Sequence, residues 1–210
     1  MAKQYLVLIG DIVHSRNVND RNAVQRKFSS ACVKLNVEAE RLGLVSPLTI
    51  TLGDEFQAVF KNSARLWECI FRLEAAMAPL EIRFAVGIDT ITTAIKSDSA
   101  IGMDGPAFYA ARAAMDQLRK AGGRYHIAGL LADEVFINAV LALLGRNRMK
   151  WRASRVLILA SLLQGKTVSE ISKLTKTSEQ AVYRNIRDGA LDTVLTLLAG
   201  ITERINSVMK

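Results

Sequence analysis

Cysteine, histidine and proline are scarce in this sequence: two, two and three residues among 210. Cys32 and Cys69 stand far apart on apolar helical patterns, with no C-x-x-C spacing, so they read as buried thiols and exclude a disulfide framework. His14 and His126 come with neither zinc spacing nor a His-Asp-Ser order, which argues against a hydrolytic triad. No apolar run approaches the ~20 residues that span a bilayer, so no membrane partner is expected. The run Tyr5 to Ile9 is too short for a signal peptide and has no small-residue cleavage site, which makes a cytoplasmic location the expectation. Repeats and low-complexity tracts are absent as well.

What is present is a folded composition, 50% hydrophobic and 23% charged. The net charge of +8 is unevenly placed. Residues 1–145 hold sixteen basic and fifteen acidic side chains, whereas 146–210 hold twelve and five, a balance of +7. A basic third beside a neutral remainder points to a polyanion, DNA above all, although a solvated basic face gives the same count.

Periodicity supplies the elements. Tyr5 to Ile9, ending at Gly10-Asp11, reads as a buried strand. Val24, Phe28, Ala31, Leu35, Ala39 and Leu42 mark a helix that Gly43 ends. Pro47 to Leu52 and Phe56 to Phe60 flank Gly53-Asp54 as a hairpin. Leu66 to Met77 is a second helix, and 81–93 a fourth strand. The order β-α-β-β-α-β is the ferredoxin-like arrangement. A helix after Gly105-Pro106, a strand over 124–130 and a helix over 132–144 extend it, with Gly145-Arg146-Asn147-Arg148 as the expected linker. The expected fold is thus α+β: a sheet domain over 1–145 and an all-α helix-turn-helix domain over 146–210.

In that topology the first strand lies antiparallel beside the third, so Asp11 meets Asp54 and Glu55 on one sheet edge. Two or three carboxylates there, with a backbone carbonyl such as that of Ile12, suit Mg²⁺ or Mn²⁺. Such ions bridge nucleotide phosphates and promote in-line displacement. An ordinary Gly-Asp turn is the competing reading.

Leu52-Gly53-Asp54-Glu55-Phe56 resembles the signature hairpin of GGDEF diguanylate cyclases and the Gly-Asp hairpin of class III adenylate/guanylate cyclases. Leu8-Ile9-Gly10-Asp11-Ile12-Val13 is similar to their first strand, whose Asp is a metal ligand. Gly105-Pro106-Ala107-Phe108-Tyr109-Ala110-Ala111-Arg112 resembles the cyclase helix that carries a transition-state Arg. Taken together, Ile-Gly-Asp-Ile-Val-x-Ser-Arg, Thr-Leu-Gly-Asp-Glu-Phe-Gln and Gly-x-Asp-Gly-Pro-Ala look most like the SatD family, over nearly the whole chain. The resemblance implies a nucleotide-cyclase-like palm followed by a helix-turn-helix, with Asp11, Asp54 and Glu55 as metal ligands and Ser15, Arg16 and Arg112 near phosphate. Three positions depart from cyclases. Leu52 replaces the first motif glycine, Phe108 the transition-state Asn, and Ile50 the purine-reading Lys. Metal or nucleotide binding is therefore expected before cyclisation.

Thr167-Val168-Ser169-Glu170 forms a capping box, and Thr177-Ser178-Glu179-Gln180 repeats that logic ten residues later. Ile171 and Leu174 are expected to face inward on the first helix, Val182 and Ile186 on the second. The second helix would present Ser178, Glu179, Gln180, Tyr183, Arg184 and Arg187 to DNA, with Arg148, Lys150, Arg152 and Arg155 adding backbone contacts. Leu191, Val194, Leu198, Ile201, Ile205 and Val208 form an a/d seam, which either packs on its own domain or pairs two chains into a homodimer.

Three functions stay open at this point: a DNA-binding regulator whose sheet domain holds metal or nucleotide, a metal-dependent nucleotide-processing enzyme, and a protein scaffold. The first is the leading expectation, and catalysis is not required by any residue.

Overall fold

The structure is a computed structural model that describes residues 2–15 and 20–209; Arg16 lies outside them. A five-stranded sheet runs in the order β2-β3-β1-β4-β5. Its strands are β1 (Gln4–Ile12), β2 (Leu44–Leu52), β3 (Glu55–Phe60), β4 (Ile82–Thr90) and β5 (Tyr125–Ala128). The central strand β1 is antiparallel to both β3 and β4, while β5 joins β4 in parallel. Every side chain from Leu6 to Ile12 that bears a Cβ is buried, as expected of a strand covered on both faces.

On one face lie α1 (Arg21–Asn36), the single-turn α2 (Ala39–Leu42) and α3 (Leu66–Met77). The expected single helix over 20–43 is broken after Asn36. That side chain both donates to and accepts from the backbone of Leu48 at 2.9 Å, tying the helix end to β2. The other face is covered by α4 (Pro106–Ala121), whose Ala107, Phe108, Ala111 and Met115 pack on Val7, Ile9 and Ala85. Strand order and crossing helices together make the expected ferredoxin-like βαββαβ arrangement, with β5 as an added edge.

The next helix, α5 (Glu134–Arg148), takes in the expected linker as its last turn. Arg148 is 8% exposed there, because its Nε donates at 2.6 Å to Glu74, itself 1% exposed. It is therefore not available to DNA. Then follow α6 (Ala153–Leu163), α7 (Val168–Thr175), α8 (Glu179–Asp188) and α9 (Leu191–Val208). Helix α6 had no clean period to announce it, since its run from Val156 to Ala160 is apolar all round. It packs against α3.

The seam of α9 is buried within its own chain, with Leu191, Leu198 and Ile205 at no more than 1% exposure. This removes it as a pairing surface. Asn206 accepts from the Ser63 backbone at 3.0 Å and from its hydroxyl at 2.9 Å, which fastens α9 to the start of the α3 segment. One apolar cluster consequently runs from Leu6 to Ile205, joining sheet and C-terminal helices. Among the described residues, no helix is long and apolar enough to cross a membrane.

Candidate functional site

Strand register brings the first group together. Asp11 lies opposite Glu55 on β3 and opposite Arg83 on β4. The Asp11 carboxylate is nearly buried and is held from two sides. Arg83 Nε donates to Oδ1 at 2.8 Å, and Arg119 Nε donates to Oδ2 at 2.9 Å. Arg119 also reaches Glu55 Oε2 through Nη2 at 3.0 Å. Two carboxylates and two guanidinium groups thus form one ion-paired cluster, with the exposed Asp116 a further partner of Arg119 at 3.5 Å. Partial burial works against the Arg119 charge, but its hydrogen bonds to Asp11 and Glu55 outweigh that and raise its pKa.

Asp54 turns elsewhere. It accepts a short hydrogen bond from the Ser15 hydroxyl, and both residues line a small recess with Arg21 and Gln25. Asp11, Asp54 and Glu55 therefore share one sheet edge without converging, and the described residues contain no group of three or more His, Cys, Asp or Glu at metal-ligating spacing. Arg112 is exposed on α4, seven residues before Arg119, and has no ion-pair partner among the described residues. The motif comparison had singled out Arg112; the arginine that touches the carboxylates is Arg119. Its signal in the sequence is faint, a basic residue two helical turns on from Arg112, and only the tertiary fold puts it beside Asp11.

A cavity of about 230 Å³ opens beside this cluster, lined by His14, Glu81, Arg83, Arg119 and Arg124. Past Gly122-Gly123 a wider groove of about 610 Å³ continues to Arg146 and Lys150. The arginines of the cavity are ion-paired, Arg83 and Arg119 with Asp11 and Arg124 with Glu81, whereas Arg146 and Lys150 in the groove have no ion-pair partner among the described residues. Phe108, at the position where cyclases carry a transition-state Asn, is 1% exposed within the second apolar cluster. His126 is half-buried, and that desolvation pushes its pKa down; it contacts Asn138 and no hydroxyl nucleophile.

The second group lies on α7 and α8. The capping box at α7 is complete: Thr167 Oγ1 accepts from Glu170 N at 3.3 Å, and Glu170 Oε2 accepts from Thr167 N at 2.7 Å. Ser178 Oγ caps α8 by accepting from Ala181 N at 3.2 Å. Between them Lys176 adopts φ 54°, the left-handed cap that usually favours Gly, at a cost of roughly 1 kcal/mol. Val182 and Ile186 face inward as expected, whereas Leu174 is 50% exposed. In the eight-residue α7, Ile171 alone is buried. Ser178, Glu179, Gln180, Tyr183, Arg184 and Arg187 are all exposed. Gln180, Tyr183, Arg184 and Arg187 follow the three- and four-residue spacing of one helix face.

Comparison with known proteins adds family and likeness. No curated protein matches the sequence. Among solved structures, the chain is similar to the guanylyl cyclase domain of the RhoGC fusion protein from the aquatic fungus Blastocladiella emersonii. That match has 13% identity and a TM-score of 0.39, over 53% of this chain and 72% of that one. It is similar also to the adenylyl cyclase CyaB from P. aeruginosa, at 16% identity and a TM-score of 0.39, over 60% and 76% of the two chains. The SatD family matches residues 5–195, nearly the whole sequence, sheet and α7–α8 included. The chain belongs to the SatD family.

Proposed function

We propose that the edge bearing Asp11 and Glu55 binds a divalent cation together with the phosphates of a nucleotide. The observation that carries this reading is the paired cluster of Asp11, Glu55, Arg83 and Arg119 at the mouth of an arginine-lined cavity. A metal–phosphate complex brings opposite charges to each member. The cation takes the carboxylates while the phosphates take the arginines, so every ion pair is exchanged and none is lost. Two carboxylate oxygens suit Mg²⁺ or Mn²⁺, since Mg²⁺ is commonly held by one or two carboxylates with phosphate and water completing its shell. The bound cation would supply charge neutralisation at the phosphates. Asp54 and Ser15 flank the same edge. Phe108 speaks against cyclisation, so the reading is one of binding or of another phosphoryl chemistry.

Titration of the full chain with each of the four nucleoside triphosphates, with and without Mg²⁺ or Mn²⁺, tests it. Metal-dependent binding is expected, weakened roughly tenfold or more in Asp11→Asn, as for loss of a charged contact. Arg119→Ala carries a sharper sign: triphosphate affinity falls while affinity for Mn²⁺ alone rises, because the competing guanidinium is gone. Absence of binding by all four nucleotides with either metal would sink the proposal.

A second reading, DNA contact by α8, is favoured by its exposed face of Gln180, Tyr183, Arg184 and Arg187 beside the +7 balance of the C-terminal third. In a helix-turn-helix the corresponding helix enters the major groove. Lys150 and Arg152 are exposed and stand close in sequence to α6. The expected result is binding to mixed-sequence duplex that weakens steeply with salt, with the log–log slope reduced by about 1–2 in Arg184→Ala/Arg187→Ala. Point variants are required, because truncation at 145 would cut α5 and strip the shared core. Failure to bind at low salt would leave α7–α8 without a role at DNA.

A further inference from the structure

With the seam of α9 spent inside the chain, a row of exposed apolar side chains remains on α5 and the turn before it. Leu131, Val135, Phe136 and Leu143 are 81%, 82%, 72% and 70% exposed. Val135, Ala139, Leu143 and Arg146 recur at the three- and four-residue spacing of one helix stripe, and Phe136 borders it. Isolated exposed apolar residues need no explanation, but a contiguous row along one helix marks an interaction surface.

We propose that this face pairs with the same face of a second copy, antiparallel, about a two-fold axis near Ala139. Two features point to a copy of this chain as the occupant. First, the stripe is self-complementary under that axis, for reversing it sets Phe136 of each copy against Leu143 of the other, with the small Ala139 at the crossing. Second, the charges are segregated. Asp133 and Glu134 stand at the start of the helix, the Glu134 carboxylate accepting from the Gly129 and Leu130 amides, while Arg146 stands in its last turn and Lys150 just beyond it. Arg146 and Lys150 have no ion-pair partner among the described residues, and Asp133, partly exposed, meets only Arg204. Antiparallel pairing sets each basic end on an acidic end, and it also opposes the helix dipoles favourably. Parallel pairing would do the reverse. One helix pair covers less than a standard interface, so micromolar association is expected.

Sedimentation of the full chain, free of metal and nucleotide, tests this independently of the proposed nucleotide site. The expected mass moves from 23.1 kDa towards twice that value as concentration rises to about 200 µM. Phe136→Glu should weaken association by about tenfold or more without changing the circular dichroism, since the side chain is solvent-facing in the single chain. Ala139→Cys should cross-link to itself under mild oxidation, a clean readout because Cys32 and Cys69 are both buried. An exposed cysteine placed at Asp192 should not. A monomer throughout that range would overturn the proposal and assign the face to a different partner. So would a dimer that survives Phe136→Glu and gives no cross-link at residue 139.

Discussion

Arg148→Met is expected to cost about 3–5 kcal/mol of stability, the range for breaking one side of a buried ion pair. For a chain of this size that corresponds to a fall in Tm of roughly 6–20 °C. Glu74 on α3 is almost without solvent contact. It accepts from Arg148 Nε at 2.6 Å and from the Tyr125 hydroxyl at 2.8 Å, with Arg124 further off at 3.9 Å. Burial first, then the Glu74 charge, pushes the Tyr125 pKa well up, so Tyr125 stays a neutral donor. Removing Arg148 leaves the carboxylate with one neutral hydrogen bond and a distant cation. Glu74→Gln in the same chain removes the stranded charge, so Glu74→Gln/Arg148→Met should be more stable than Arg148→Met alone. Urea unfolding of the two single variants and the double gives the coupling directly. A loss under about 1 kcal/mol for Arg148→Met would mean that water reaches Glu74 and the pair behaves as a surface one.

Gly87→Ala should be nearly as damaging, and it should also reach the candidate site. A Cβ at this position of β4 would lie 2.2 Å from the Ala107 carbonyl oxygen and 2.4 Å from the Ala111 nitrogen. Both are backbone atoms of α4, so no rotamer change relieves them and the helix must lift off the sheet. Overpacking typically costs 1–3 kcal/mol, and a clash with backbone belongs at about 3. Arg119 rides in the last turn of the displaced helix. The same substitution should therefore weaken its bonds to Asp11 and Glu55 and lower affinity for any phosphate ligand there. Gly200→Ala is the control. It lies inside α9 with open space where the Cβ would go, and should be neutral or stabilising by about 0.5–1 kcal/mol. Equal Tm values for the wild type and Gly87→Ala would contradict the close approach of α4.

Local patterns in the sequence were good guides to elements and poor guides to what covers them. The alternating and 3.6-residue periods placed all five strands and most helices, and β-strand order followed from the succession of elements. The register that sets Asp11 beside Glu55 was legible for the same reason. Arg119 was not, because no local motif marks a residue 108 positions from its partner. Arg148 looked like linker charge for a related reason: its counter-charge, Glu74, stands 74 residues away. The a/d spacing of α9 announced an apolar stripe correctly, yet spacing is silent on whether that stripe meets its own chain or another. On α5 the opposite happened. Its exposed row passed unnoticed because Ala139 and Arg146 interrupt the apolar count.

The bond between Asn206 and Ser63 joins residues 143 positions apart, and the apolar cluster beneath it includes Leu66, Trp67, Leu198 and Ile205. During synthesis, the outer side of α3 therefore waits for most of the remaining chain before α6 and α9 can cover it. Until then a nascent sheet with its helices already formed shows an oily flank to the cell. The yield of such a chain would be limited less by final stability than by how quickly α9 follows α3.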